Sequence, residues 1–77
     1  MRKVKVYVTL KGNVLDPQGS AVEHALHSLG YQAVSHVRIG KYMELLVDEN
    51  VENMDETIKE MCEKILSNPI IEDYTYE

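Results

Sequence analysis

The sequence holds no phenylalanine, no tryptophan and only one cysteine, Cys62, among its 77 residues. A single thiol excludes an intrachain disulfide and fits a reducing compartment. The aromatic area therefore rests on five tyrosines. Their rings bury well, but their hydroxyls need partners, which suits half-wet surfaces and interfaces. Basic residues are scarce too, eight against thirteen acidic ones, for a net charge of -5. A phosphate backbone is bound by neutralising it with Lys and Arg, so this balance argues against general nucleic-acid binding. No apolar run approaches the length of a membrane span. The start of the chain alternates charged and apolar residues, unlike the apolar stretch of a signal peptide. The expected location is the cytoplasm. The four glycines, Gly12, Gly19, Gly30 and Gly40, stand singly, and none forms a phosphate-cradling loop of the Walker or dinucleotide type.

A chain of this length makes one domain, residues 1–77, with a thin core. Self-association is a common remedy for such marginal domains. In RKVKVYVTL at 2–10, Val4, Val6 and Val8 alternate with Lys3, Lys5, Tyr7 and Thr9, the pattern of a strand with one buried face. Lys11-Gly12-Asn13 reads as a turn. Asp16-Pro17 reads as a helix start, with Asp as N-cap and Pro at the first helical position. Val22, Ala25, Leu26 and Leu29 form that helix's apolar stripe, and Gly30 ends it. A second helix is expected over 55–67, burying Met54, Ile58, Met61, Cys62 and Ile65 until Asn68-Pro69 stops it. A closing strand is expected over 70–76.

The middle segment is the most informative. From His36 to Asp48 the odd positions are Val37, Ile39, Lys41, Met43, Leu45 and Val47. A two-residue hairpin at Gly40-Lys41 would pair Val37 with Glu44 and so mix core and solvent residues on one face. The unbroken parity favours one long strand bent at Gly40, or a hairpin corrected by a bulge. At about 3.3 Å per residue, thirteen residues span roughly 40 Å, more than so small a domain is wide. Such a strand would project beyond its own core and need another chain to pair with. The expected architecture is α+β, a two-layer sandwich with two helices on one face of a largely antiparallel sheet. Its β-α-β(β)-α-β order is related to ferredoxin-like domains. The sheet's other face would carry Tyr7, Thr9, Tyr42 and Leu46. That is apolar enough to be an association surface through Tyr7, Tyr42 and Leu46.

Candidates for chemistry are few. His24 and His27 are spaced to share a metal, but they lie opposite the apolar stripe, have no evident third ligand and do not follow the HExxH order. Cys62 falls within an apolar stripe, where a small buried hydrophobe is the common role and nothing marks an activating base. The carboxylates Glu72, Asp73 and Glu77 have no neighbourhood that would separate their pKa values for acid–base work. No catalytic residue and no metal ligand is assigned. Arg38, Gly40 and Lys41 form the one cluster that resists a purely structural account, and Lys41 sits at a position whose parity neighbours are apolar.

Taken together, LDPQG at 15–19, VRIGKYMEL at 37–45, EMCEKIL at 60–66 and NPIIEDY at 68–74 resemble the PurS family. These are the small subunits of the phosphoribosylformylglycinamidine synthase complex of purine biosynthesis. The resemblance spans nearly the whole chain, and it rests on the order and spacing of the motifs, not on any one of them. It implies a non-catalytic assembly subunit, paired with itself as dimer or tetramer. This subunit would bridge a large synthetase subunit and a glutaminase subunit and help ammonia pass between them. ATP and magnesium are expected in the large partner, with no cofactor on this subunit. Asp16, Gln18, Arg38, Lys41 and Tyr42 are the implied partner contacts, and any C-terminal extension found in relatives is expected to be absent. The alternative is an ACT-like dimeric domain that senses a small metabolite.

Overall fold

Strand β1, Arg2–Leu10, is the centre of the computed structural model, which describes residues 1–77. It is followed by α1 (Pro17–Ser28), β2 (Gly40–Val47), α2 (Met54–Met61, continued by a π-helical turn over Cys62–Leu66) and β3 (Glu72–Tyr76). The three strands form one antiparallel sheet in the order β2-β1-β3. The alternation in β1 does what the sequence requires of it. Val4, Val6 and Val8 are fully buried, and Ile58 and Cys62 of α2 pack on them. Met43, Leu45 and Val47 of β2, with Tyr74 and Tyr76 of β3, extend this core at partial burial. The α+β class, the antiparallel sheet and the two helices are as expected.

The layering has an unexpected feature. Only α2 covers the sheet within this chain. No residue of α1 belongs to the core cluster. In its apolar stripe Val22 is 41% exposed, and Leu29, the residue that caps its C-terminal end, is 74% exposed. The molecule measures 52 × 25 × 15 Å with a radius of gyration of 16.2 Å, against about 11–12 Å for a compact chain of this length. The reason lies at Gly40. There is no hairpin there, since β2 begins at Gly40 and pairs only with β1. Residues before Gly40 therefore run on beyond the end of the sheet and carry α1 away with them. The one-strand reading of the middle segment survives in shortened form, because only 40–47 has a ladder partner.

Smaller departures have local causes. In the π turn the Ser67 N–H donates to the Cys62 carbonyl at 2.9 Å, five residues back instead of four. The extra residue shifts the helical phase by one position. Leu66 is half-buried, while Ile65, expected in the core, is 83% exposed. The last strand starts at Glu72, because the Asn68 carbonyl accepts from Ile71 and Glu72 and holds the preceding residues in a turn. Helix α1 starts and stops as its sequence dictates. The Asp16 side chain accepts from the Gly19 N–H, Pro17 opens the first turn, and Gly30 takes a left-handed φ of 97°.

Candidate functional site

The candidate residues divide between two places. The first is the junction where the chain leaves β1, starts α1 and re-enters at β2. Asp16 is nearly buried, and both its oxygens are used: Oδ1 accepts from the Gly19 N–H at 2.9 Å and Oδ2 from the Ile39 N–H at 2.8 Å. These backbone donors hold its carboxyl below the usual aspartate range, with the Arg38 charge adding to them. Arg38, though exposed, donates through Nη2 to the Lys11 and Val14 carbonyls, each at 2.9 Å. It thereby satisfies the turn that precedes α1.

Gly19 fits this junction because it lacks a side chain. A Cβ there would lie 2.1 Å from the Val37 carbonyl oxygen. Further along, the Val37 N–H donates to Glu23 at 3.3 Å, and the His27 ring donates to the Val34 carbonyl at 2.7 Å. Segment 34–39 thus runs back along α1 and is stitched to it. His27, one of the pair weighed as metal ligands, has this local role.

Lys41 meets an acceptor at the end of the sheet. Its Nζ lies 3.4 Å from Glu72, whose side chain is only 11% exposed. Together with Asp16, Gln18, Ile39 and Gly40, these two residues line a cleft of about 210 Å³. Such a volume is below the usual range for small-molecule sites and suits a side chain of another protein better than a nucleotide.

The second place is the outer sheet face. The register sets Tyr7 opposite Tyr42, with ring centroids 5.2 Å apart, and Leu46 opposite Lys3. The Tyr7 hydroxyl donates to Glu77 at 2.7 Å and the Tyr42 hydroxyl to Glu44 at 2.6 Å, while Lys3 sits 3.3 Å from Glu44. The Glu44 bond pushes the Tyr42 hydroxyl up to about 12, and Tyr42 and Lys3 hold Glu44 low. Leu46 stays 69% exposed. The face is aromatic in its middle and charged at its rim, as docking surfaces are. Cys62 contributes no chemistry here. Its thiol is buried, and burial, with Glu63 beside it, raises its pKa away from the reactive thiolate.

The structure therefore brings Asp16, Gln18 and Lys41 together, sends Tyr42 to the opposite face beside Tyr7, and turns Arg38 onto the backbone. The second bond of Asp16 and the stitching of 34–39 to α1 were not visible in the sequence. Their partners are chosen by tertiary approach and have no motif. Only the Asp-Pro cap announced that Asp16 had a structural task.

An open-faced α+β domain with a small charged cleft and an aromatic outer face is built to dock onto other protein chains. The chain belongs to the PurS family: residues 3–77 match the family model described as "PurS: Phosphoribosylformylglycinamidine (FGAM) synthase". It is 64% identical over 77 residues to the phosphoribosylformylglycinamidine synthase subunit PurS of Bacillus subtilis, covering all of this chain and 92% of that one. It is 46% identical to the Synechocystis subunit, over 95% of this chain and 74% of the relative. Among solved structures, Bacillus subtilis PurS superposes with a TM-score of 0.91 at 64% identity, over 97% of this chain and 94% of that one. A chain of the PurLQS structure from Thermotoga maritima superposes with a TM-score of 0.78 at 34% identity, over 100% of this chain and 98% of that one. This kinship sides with the assembly reading and lends nothing to the ACT-like alternative.

Proposed function

We propose that the chain is a non-catalytic subunit of a phosphoribosylformylglycinamidine synthase acting in purine biosynthesis. It pairs with itself and bridges a large synthetase subunit and a glutaminase subunit in the cytoplasm, so that ammonia released by one reaches the other without escaping. The observation that carries this reading is the end-to-end likeness to a chain of the PurLQS assembly. The local geometry supports it. The polar groups of Asp16 and Arg38 are engaged by the chain's own backbone, which gives the junction a fixed shape. Gln18 and Lys41 remain exposed beside it as contact residues, with Tyr42 on the outer face. That outer face, through Tyr7, Tyr42 and Leu46, offers a further association surface. ATP and magnesium belong to the large subunit in this scheme.

The test mixes this chain with the synthetase and glutaminase subunits and follows amidine formation, first with glutamine and then with ammonia. Glutamine-dependent turnover should require the chain, while ammonia-dependent turnover should not. Equal glutamine-dependent rates with and without the chain would sink the proposal. The double substitution Gln18→Ala with Lys41→Glu should weaken complex formation and leave the circular dichroism of the isolated chain unchanged.

A further inference from the structure

Strand β3 closes one side of the sheet, and no strand lies beyond it. Its pairing with β1 fixes which of its main-chain groups are spent. Lys5 and Glu77 exchange both N–H···O bonds at 3.0 Å, and the Lys11 N–H donates to the Ile71 carbonyl at 2.9 Å. Bonded and unbonded pairs alternate along an antiparallel ladder. In this register the bonds to β1 fall to Asp73, Thr75 and Glu77. The N–H and C=O groups of Tyr74 and Tyr76 therefore point outward, as donors and acceptors for one more strand.

The tyrosine side chains turn inward and leave that edge open. The Tyr74 hydroxyl donates to Glu63 at 3.1 Å, and the Tyr76 hydroxyl lies 3.5 Å from Asp55. A cleft of about 440 Å³, lined by Lys11, Glu63, Pro69, Glu72, Asp73 and Tyr74, opens beside the first half of the strand. It has room for a long side chain.

The charge of this edge selects its occupant. Residues 48–77 hold ten of the thirteen acidic residues and two of the eight basic ones. Asp55, Glu63, Asp73 and Glu77 are exposed along the edge. Its two cations are Lys11, held by Asp73 at 2.8 Å, and Lys59, on the same helical row as Asp55 and Glu63. Two such edges would repel each other, so a second copy is a poor partner for β3. A strand of opposite charge is a good one.

We propose that an extended segment of another protein chain, rich in Lys or Arg, adds to β3 as a fourth strand. Its main chain would exchange bonds with Tyr74 and Tyr76. Its basic side chains would meet Asp55, Glu63 and Asp73, one of them entering the cleft. The proposal rests on the bridging role stated above and specifies the edge through which one of the larger subunits docks.

Hydrogen exchange at single-amide resolution tests it. The isotopically labelled full-length chain is exchanged alone and with unlabelled synthetase and glutaminase subunits, then quenched and read by NMR. The amides of Tyr74 and Tyr76 should exchange about tenfold more slowly in the complex, while that of Thr75, already bonded to β1, should change less. A complex that forms and leaves both tyrosine amides unprotected overturns the docking edge and leaves the bridging role standing. Failure to form any complex overturns both. Protection that appears in the chain alone and grows with its concentration gives the edge to a second copy and overturns the basic partner. As a second measurement, Glu63→Lys with Asp73→Lys should raise the dissociation constant of the complex about tenfold at low salt, and by less at high salt. An unchanged constant, with the circular dichroism of the chain preserved, overturns the basic partner.

Discussion

At the scale of single residues, the junction is decided by Asp16 and Gly19. Alanine is ordinarily favoured over glycine in a helix by about 1 kcal/mol. Gly19→Ala should nevertheless destabilise, by roughly 1–3 kcal/mol, because its Cβ would drive into the Val37 carbonyl oxygen, a backbone atom that cannot swing aside. A thermal melt followed by circular dichroism decides the sign. Asp16 makes stability depend on pH. Its carboxyl is held below the ordinary aspartate value of about 3.9 in the folded chain. Its contribution is therefore full above that value and is lost as pH falls through the lower folded value. Asp16→Asn should start less stable at pH 7 and show a flatter acid limb below about pH 4. Tyr42 behaves in the opposite sense. With its hydroxyl pushed up to about 12, its contribution is complete below pH 10 and lost as pH rises through 12. Tyr7 and Tyr74 are raised as well, but Tyr42 most, so ultraviolet titration should find a last phase that Tyr42→Phe removes.

At the scale of elements, α2 carries the core, and its π turn decides which of two neighbouring apolar residues it buries. Ile58→Ala should cost about 2–5 kcal/mol, a large part of the stability of a chain this small. Leu66→Ala should cost more than Ile65→Ala, which should stay within about 0.5 kcal/mol as an exposed site does. Denaturant midpoints for the two variants give the comparison directly. If Ile65→Ala were the costlier change, the phase shift in the π turn would be wrong. Helix α1 differs from α2 in kind. Its caps are sound, but its apolar stripe has no cover within the chain, and isolated helices of this length are marginal in water.

At the scale of the whole molecule, the 52 Å length and the exposed apolar stripe of α1 tie folding to association. The melting temperature should rise with protein concentration, because assembly stabilises the folded form by mass action. Hydrogen exchange should divide the chain on dilution. Amides of α1 should lose protection first, while those of β1, at the centre of the sheet, keep it. A melting temperature independent of concentration over two decades would contradict this coupling.

Much of the molecule was legible in its sequence. The Val4-Val6-Val8 alternation determined the central strand, Asp16-Pro17 and Gly30 determined the limits of α1, and the parity through Gly40 excluded a simple hairpin. These signals are local, set by the period of side chains along a strand or helix and by which residues tolerate a cap. The four motif segments identified the family as well. What only the tertiary structure decided is where the elements go: that α1 leaves its own sheet, that Asp16 reaches Ile39 and Arg38 the Lys11 and Val14 carbonyls, and that a π turn exchanges Ile65 for Leu66. Each of these depends on approaches between distant residues or on a one-residue change of phase. An apolar stripe reads the same whether it is covered by its own chain or by another, so the sequence specified the face of α1 and the fold alone left it open to a partner.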